Sequence, residues 1–495
     1  MIKIFYNGRI YDENFSLKKT LVVYDDKILY LGDEDNLNYP YKKEKIDLKG
    51  DFIFPTFFDS HLHLGLFSKS LYEINLSNID NFDLVLKKLK ESNKKEDIIF
   101  GFGWDDEKWK IKPHKKFLDE IFLDKFVILK RRDGHSVWVN SKVLNYLNIM
   151  SNTKFKGGKV EVDENGEPNG VLRDRAGEYV LEKFKDKIDY KNYIKKGIEK
   201  LYSYGIGSIC NMDGDIIEFL IKRKYRLRIF NAVPVNKFED FSKIGLKSFF
   251  GDEFLKIGGV KIFMDGSLGS KTSFMKDGFL DEPQNRGLSY YDYKELKELI
   301  KEINRKNFCV WVHAIGDLAN ELVLKSFLEV GSNKFNRIEH AQIVSKSFLE
   351  DLKKGTFFLS VQPSHIILDI DKIEKFLGDR GRFVYTFKTF LDLNQILCFG
   401  TDAPIEDIDP IRGIKISIKR VVNGKEFFRE EEIDLISSFK AYTINPAKSV
   451  NEDKKIGSLK EGKYADFIVF EDDPMKLSAK IKKVYIGGEK VYERE

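Results

Sequence analysis

At 495 residues the chain exceeds one ordinary domain, and an apolar share of 42% supplies a buried core, which sets disorder aside. Its 84 Lys and Arg are nearly balanced by 79 Asp and Glu, and the formal charge of +5 is spread along the chain. The concentrated basic patch of a nucleic-acid binder is therefore not expected.

The three cysteines, Cys210, Cys309 and Cys398, lie far apart in apolar segments and form no CxxC pair. The N-terminal stretch MIKIFYNGRIYDEN lacks the apolar run of a signal peptide, and no run reaches the ~18 residues of a membrane span. These features read as a soluble, cytoplasmic protein with no membrane partner.

Residues 1–50 combine short strands with turn signals: IKIFYNGRIY, then TLVVYDDKILYLG, with Asp25-Asp26 as a hairpin turn. ADFIVFEDD and KKVYIGGEKVY repeat this texture at the other end. Both termini, residues 1–52 and 453–495, are thus expected to form one small composite β-sandwich. Residues 53–452 alternate apolar strands with amphipathic segments such as KELKELIKEINRK and LANELVLKSFLEV, the pattern of an α/β fold with a parallel sheet. Candidate strands fall at 52–61, 205–212, 227–233, 258–265, 308–313, 335–340, 356–362 and 396–402. Eight strands with intervening helices predict a (β/α)8 TIM barrel. The long gap after the first strand, with IIFGFGWDD, FVILKRRDGH and a Gly-rich turn, predicts an α+β insertion at about 66–190.

Only seven histidines occur: His61, His63, His114, His135, His313, His340 and His365. Four of them end predicted strands. His61 and His63 are two residues apart and so share one strand face. His313 ends FCVWVH, His340 ends FNRIEH, and Asp402 ends ILCFGTD. A single strand-end histidine is more often structural than a ligand. Five such groups on the catalytic face of one barrel point instead to a metal centre, for which imidazoles and a carboxylate suit zinc and similar ions.

Lys261, in the apolar segment GGVKIFMD, is costly to bury unless paired or modified. It reads either as a carboxylated lysine bridging metals or as an amine neutralised by Asp265 or another carboxylate. His135 and His365 are candidate donors that polarise substrate, or else packing residues. Trp104, Trp109 and Trp138 either line a substrate pocket or form the core of the insertion. His114, among lysines, reads as a surface residue. GSLGSKT lacks a Walker pattern and is not read as a phosphate loop.

In series, FFDSHLH (57–63), DGHSVWVNS (133–141), NGVLRDRAGE (169–178), VKIFMDGSLGSKT (260–272), VHAIGDLA (312–319), RIEHAQ (337–342), SVQPSH (360–365) and FGTDAPIEDIDP (399–410) resemble the amidohydrolase superfamily. Within it they resemble amidohydrolase family 3, the branch of N-substituted formamide deformylase-like and YtcJ-like hydrolases. AYTINPAK and IGSLKEGKYADFIVF resemble the family's C-terminal return to the β-sandwich. One departure is Thr56, where the family commonly has glycine after Pro55; it puts the local turn in question.

The resemblance implies hydrolysis of a non-peptide C–N bond with metal-activated water, using one or two divalent metals per chain, zinc preferred. Carried over by motif, the ligands are His61, His63, His313, His340 and Asp402, with Lys261 as carbamate bridge and Asp402 as proton shuttle. It also implies a small-molecule amide substrate and a homodimer or larger homo-oligomer. N-formyl, N-acyl-amino-acid and cyclic amide substrates all stay open. So do lactonase, esterase or deaminase chemistry on the same barrel, and a non-catalytic, assembly-forming role.

Overall fold

Eight parallel strands form the central sheet: β1 (Phe57–Leu62), β2 (Ile206–Asn211), β3 (Arg228–Pro234), β4 (Leu255–Phe263), β5 (Val310–Ala314), β6 (Arg337–His340), β7 (Phe358–Val361) and β8 (Ile396–Phe399). The computed structural model describes every residue except 35–38, 40–41, 78, 93–96, 107–108, 133–135, 186, 188–189, 223–224, 332 and 423. The sheet is continuous from β1 to β8 in sequence order. Just past β8, the Asp402 amide donates to His61 O at 2.7 Å and the His63 amide donates to Ala403 O at 3.1 Å, bringing the last strand back to the first. Gly400 permits this approach, because a Cβ there would lie 2.6 Å from the His61 amide nitrogen. β1 and β2 are buried at every position, which explains apolar runs without alternation.

Helices follow the strands, as the amphipathic segments require. In Tyr293–Arg305 a capping box of Asp292 and Glu295 satisfies the first amides, and Leu296, Ile300 and Ile303 form the buried stripe. Asp317–Val330 ends at Gly331, whose φ of +62° suits glycine. Among the described residues no helix is long and apolar enough to cross a membrane.

The expected strand 52–61 is in fact two. Phe52–Pro55 pairs antiparallel with Phe467–Phe470 and parallel with Arg9–Tyr11, and the chain changes sheets at Thr56 before β1 begins. The Thr56 amide donates to Asp466 O at 3.2 Å, and its backbone is not left-handed. Its side chain packs over Gly207, where a Cβ would meet Thr56 Oγ1 at 2.6 Å. Gly207 on the neighbouring strand thus leaves room for the threonine side chain at 56.

Strands from both termini make two sheets. One runs Glu489–Glu493, Ile481–Ile486, Phe467–Phe470, Phe52–Pro55, Arg9–Tyr11, Leu17–Lys18; the other runs Lys27–Gly32, Thr20–Tyr24, Ile2–Tyr6, Lys43–Asp47. The hairpin turns at Asp25-Asp26, with Asp25 at φ +52°. Phe5, Phe467 and Tyr485 meet at ring distances of 4.7–5.3 Å within their shared core. On β3, Arg228 reaches these strands: its Nε donates to Asp466 Oδ2 at 2.6 Å and its second nitrogen donates to Oδ1 at 2.9 Å, with both side chains buried.

The chain divides into two compact units, Met1–Phe67 with Ile198–Glu495, and Ser68–Gly197. The second unit holds a six-stranded mixed sheet in the order Gly158–Val162, Pro168–Asp174, Ser136–Val139, Phe126–Arg131, Ile98–Trp104, Ile74–Asn75. Trp104, Trp109 and Trp138 are buried in its core with ring centroids 6.1–6.3 Å apart, so they pack this unit rather than line a pocket. His114 caps the Lys115–Ile121 helix, its ring accepting from the Lys116 amide at 3.2 Å.

Arg228→Met should lower unfolding free energy by about 3–5 kcal/mol, because it strands the Asp466 carboxylate in a dry site. Adding Asp466→Asn, which keeps an acceptor for the Gly487 amide, should recover part of that loss in denaturant titrations. Equal stability of the single and double variants would show that the stranded Asp466 charge is not the source of the loss.

Candidate active site

The polar groups collect at the C-terminal ends of the barrel strands. His61 lies near the end of β1 and His63 just beyond it, and their ring centroids are 5.7 Å apart. Asp402, three residues past β8, places Oδ1 3.5 Å from His61 Nε2 and 3.3 Å from His63 Nε2. His340, at the end of β6, lies with its ring 4.8 Å from that of His61 and 4.5 Å from that of His313 on β5. His340 and Asp402 have φ of +71° and +57°. These left-handed turns interrupt strand alternation and re-aim both side chains, a costly conformation that clusters at functional sites.

Each imidazole is oriented from behind. Glu339 Oε2 sits 2.6 Å from His61 Nδ1, Asp213 Oδ1 sits 2.6 Å from His63 Nδ1, and Gln362 Oε1 sits 2.8 Å from His340 Nδ1. An oxygen at this position requires the proton on Nδ1, which leaves the Nε2 lone pair free to bind a cation. His61 Nε2 is buried and has no hydrogen-bond partner. His313 is held the other way round, with Nε2 3.0 Å from Gly266 O, so its Nε2 donates and its Nδ1 carries the lone pair.

Burial, reinforced by the Lys261 ammonium, lowers His61 to about 4 and His313 to about 3. Burial and the neighbouring His313 and His61 hold His340 well below its ordinary value. All three are therefore neutral near pH 7. Burial opposes charge on His63 too, but hydrogen bonds to Asp213 and Asp402 raise it to about 9. A cation bound at His63 Nε2 would have to displace that proton. Burial also works against ionised Asp402, yet the imidazoles of His61, His63, His340 and His365 hold its carboxyl well below the usual range.

Lys261, on β4, is buried, and its amine has no hydrogen-bond partner. The pairing with Asp265 weighed from the sequence is not formed. Asp265 instead accepts amides from Phe274, Ile315 and Gly316 at 2.7–2.9 Å. Burial pushes the Lys261 ammonium down to about 8, so a neutral amine is accessible near physiological pH. His365 begins the His365–Leu377 helix, with Nε2 3.5 Å from Asp402 Oδ2 and without a hydrogen-bond partner. His61, His63, Lys261, His313, His340, His365 and Asp402 all line one cavity of about 380 Å³. His135 lies outside the described residues.

This donor set suits a divalent cation. His61, His63 and Asp402 offer three ligand atoms within 4.8 Å of one another, and so do His340, His365 and Asp402. Neutral imidazoles, one carboxylate and an orphaned buried nitrogen are what such an ion requires. His365, read from sequence as a substrate donor, thus also stands within reach of a cation site.

Asp213, Glu339 and Gln362 escaped the sequence reading. Glu339 was visible as a carboxylate inside the apolar strand RIEH, where an unpaired charge is too costly to bury. Burial opposes its charge, but Arg337 and His61 hold it down to about 2, and Arg337 Nε donates to Glu339 Oε1 at 2.5 Å. Asp213→Asn should lower zinc affinity roughly 10–100-fold, the usual cost of losing a partner behind a ligand. Titration against a competing chelator checks this, and unchanged affinity would separate Asp213 from the cation site.

Comparison with known proteins agrees with this geometry. The family model described as "Amidohydrolase family" matches residues 44–492. The chain is 30% identical to the putative amidohydrolase YtcJ of Bacillus subtilis (strain 168), over 100% of both chains. It is 20% identical to N-substituted formamide deformylase of Arthrobacter pascens, over 99% of this chain and 97% of that one. It is similar also to the crystal structure of an uncharacterized metal-dependent hydrolase from Pyrococcus horikoshii OT3, with TM-score 0.82, 30% identity and coverage of 99% and 100%. A barrel with these strand-end donors, matched over nearly its whole length, belongs to the amidohydrolase family of metal-dependent hydrolases.

Proposed function

We propose that the chain hydrolyses a non-peptide carbon–nitrogen bond, an N-formyl or N-acyl amide, of a small molecule. The observation that carries this reading is the convergence of His61, His63, His313, His340, Lys261 and Asp402 on one cavity at the barrel's C-terminal face. The formamide substrate in one relative's name supports amide over ester chemistry. In this reading zinc would be held by His61, His63, His313, His340 and Asp402, and CO2 adding to the neutral Lys261 amine, with loss of one proton, would give a carbamate as a further ligand. When bound, the metal supplies Lewis-acid activation of water near neutral pH.

The chain's own residues handle the protons. Asp402, held ionised, accepts a proton from the attacking water and delivers it to the leaving nitrogen. An amine is a poor leaving group until protonated, so this return step matters more for an amide than for an ester. His365 Nε2 has no other partner and, as an N–H, donates to the substrate's carbonyl oxygen as that oxygen gains charge. Glu339, Asp213 and Gln362 keep the three imidazoles in the tautomer that leaves Nε2 free.

Asp402→Asn should reduce amide turnover by about 10²–10⁴-fold while metal content, read by elemental mass spectrometry, is largely retained. A near-normal rate would remove Asp402 as proton shuttle. A wild-type enzyme that cleaves esters or lactones but no amide in a matched panel would overturn the C–N assignment.

A further inference from the structure

The His365–Leu377 helix continues outward from the reacting centre along one wall of the cavity. His365, Leu368, Asp369 and Lys372 all line that cavity, and their spacing of three, four and seven residues places them on one helix stripe. With a rise of 1.5 Å per residue, Lys372 stands roughly 10 Å along the helix from His365.

Asp369 is fixed from its buried side. Gln342 Nε2 and the Tyr385 hydroxyl donate to Oδ2 at 2.8 and 2.7 Å, while the Lys372 ammonium donates to Oδ1 at 3.1 Å. The carboxylate is thus neutralised and well supplied with donors. Lys372 has three N–H donors and, among the described residues, only this one hydrogen-bond partner, while its side chain is 38% exposed. Gly269 keeps space beside the ammonium, because a Cβ there would lie 3.2 Å from Lys372 Nζ. The unspent capacity at this end of the cavity is cationic.

Apolar side chains share the lining with these polar groups. Leu66, Phe263, Leu368 and Ile405 line the cavity while 46–59% exposed, and exposed apolar side chains gathered around a pocket mark a binding surface.

We infer that the pocket selects an amide that carries an apolar stretch against these side chains and a carboxylate placed on Lys372. The inference rests on the amidohydrolase reading above and makes Lys372 a specificity residue outside the proton chemistry.

Calorimetric titration of the metal-loaded full-length protein with suberate and with its monomethyl ester tests it without requiring turnover. The diacid should bind about fivefold tighter than the ester. Lys372→Met should erase that difference, and Lys372→Arg should keep most of it. No preference in the wild type, or a preference that survives Lys372→Met, would overturn the inference. Kinetics on N-formyl ω-amino acids of increasing length, beside their methyl esters, separates the two readings. Equal cleavage of acids and esters at every length would sink the Lys372 assignment while leaving amide hydrolysis standing. A Lys372-dependent preference in binding, with no amide cleaved, would retain the anion site and sink the C–N chemistry instead.

Discussion

Burying four imidazoles, an amine and a carboxylate at one end of a barrel is possible only if most of them find partners on their protein side. Without such partners each group would carry a desolvation cost comparable to a lost hydrogen bond, and the ionised ones far more. The protein meets this with a tier of oxygens behind the imidazoles: Glu339, Asp213 and Gln362. Glu339 is in turn neutralised by Arg337, which also donates to Ser60 O at 2.9 Å and lies over the Trp311 ring at 4.3 Å. A buried guanidinium in the barrel interior therefore sets the orientation of a histidine at its rim. Among the described residues, the polar atoms left without partners here, His61 Nε2, Lys261 Nζ and His365 Nε2, belong to side chains that line the same cavity.

Barrel closure serves the same end. The hydrogen bonds that bring the chain after β8 back to β1 involve the backbone of His61, His63 and Asp402 themselves. Asp59 takes part too, accepting from the Thr401 hydroxyl at 2.6 Å and from the His61 amide at 3.0 Å. The distance between the HxH pair and Asp402 is thus fixed by main-chain bonding rather than by side-chain choice. Left-handed turns at His340 and Asp402 then point their side chains where ordinary strand geometry would not.

The cavity has a chemical gradient along the His365–Leu377 helix. His365 stands beside Asp402, and Lys372, on the same stripe, holds an ammonium braced by the buried Asp369 carboxylate. One helix stripe connects the two, and the Lys372 specificity inferred above rests on that connection.

Much of this was legible in the sequence. Eight apolar segments at barrel spacing, strand-like termini and the strand-end positions of His61, His63, His313, His340 and Asp402 follow from periodicity and residue type, which are local properties. The division of 52–61 at Thr56 was not legible, because it rests on pairing with Phe467–Phe470 and a hydrogen bond to Asp466 O, far along the chain. The choice between readings of Trp104, Trp109 and Trp138 also needed the packed insertion, since aromatic residues serve cores and pockets alike. For Lys261 the sequence left Asp265 open as a partner, and only the structure shows that carboxylate committed to three amides instead. The partners Asp213, Glu339, Gln362 and Asp369 act on residues up to 278 positions away, across distances that only the closed barrel removes. Residue type and spacing determined which groups could do chemistry. Which nitrogen each histidine offers, and what stands behind it, was decided by tertiary structure, because hydrogen-bond pairing between remote strands leaves no local pattern.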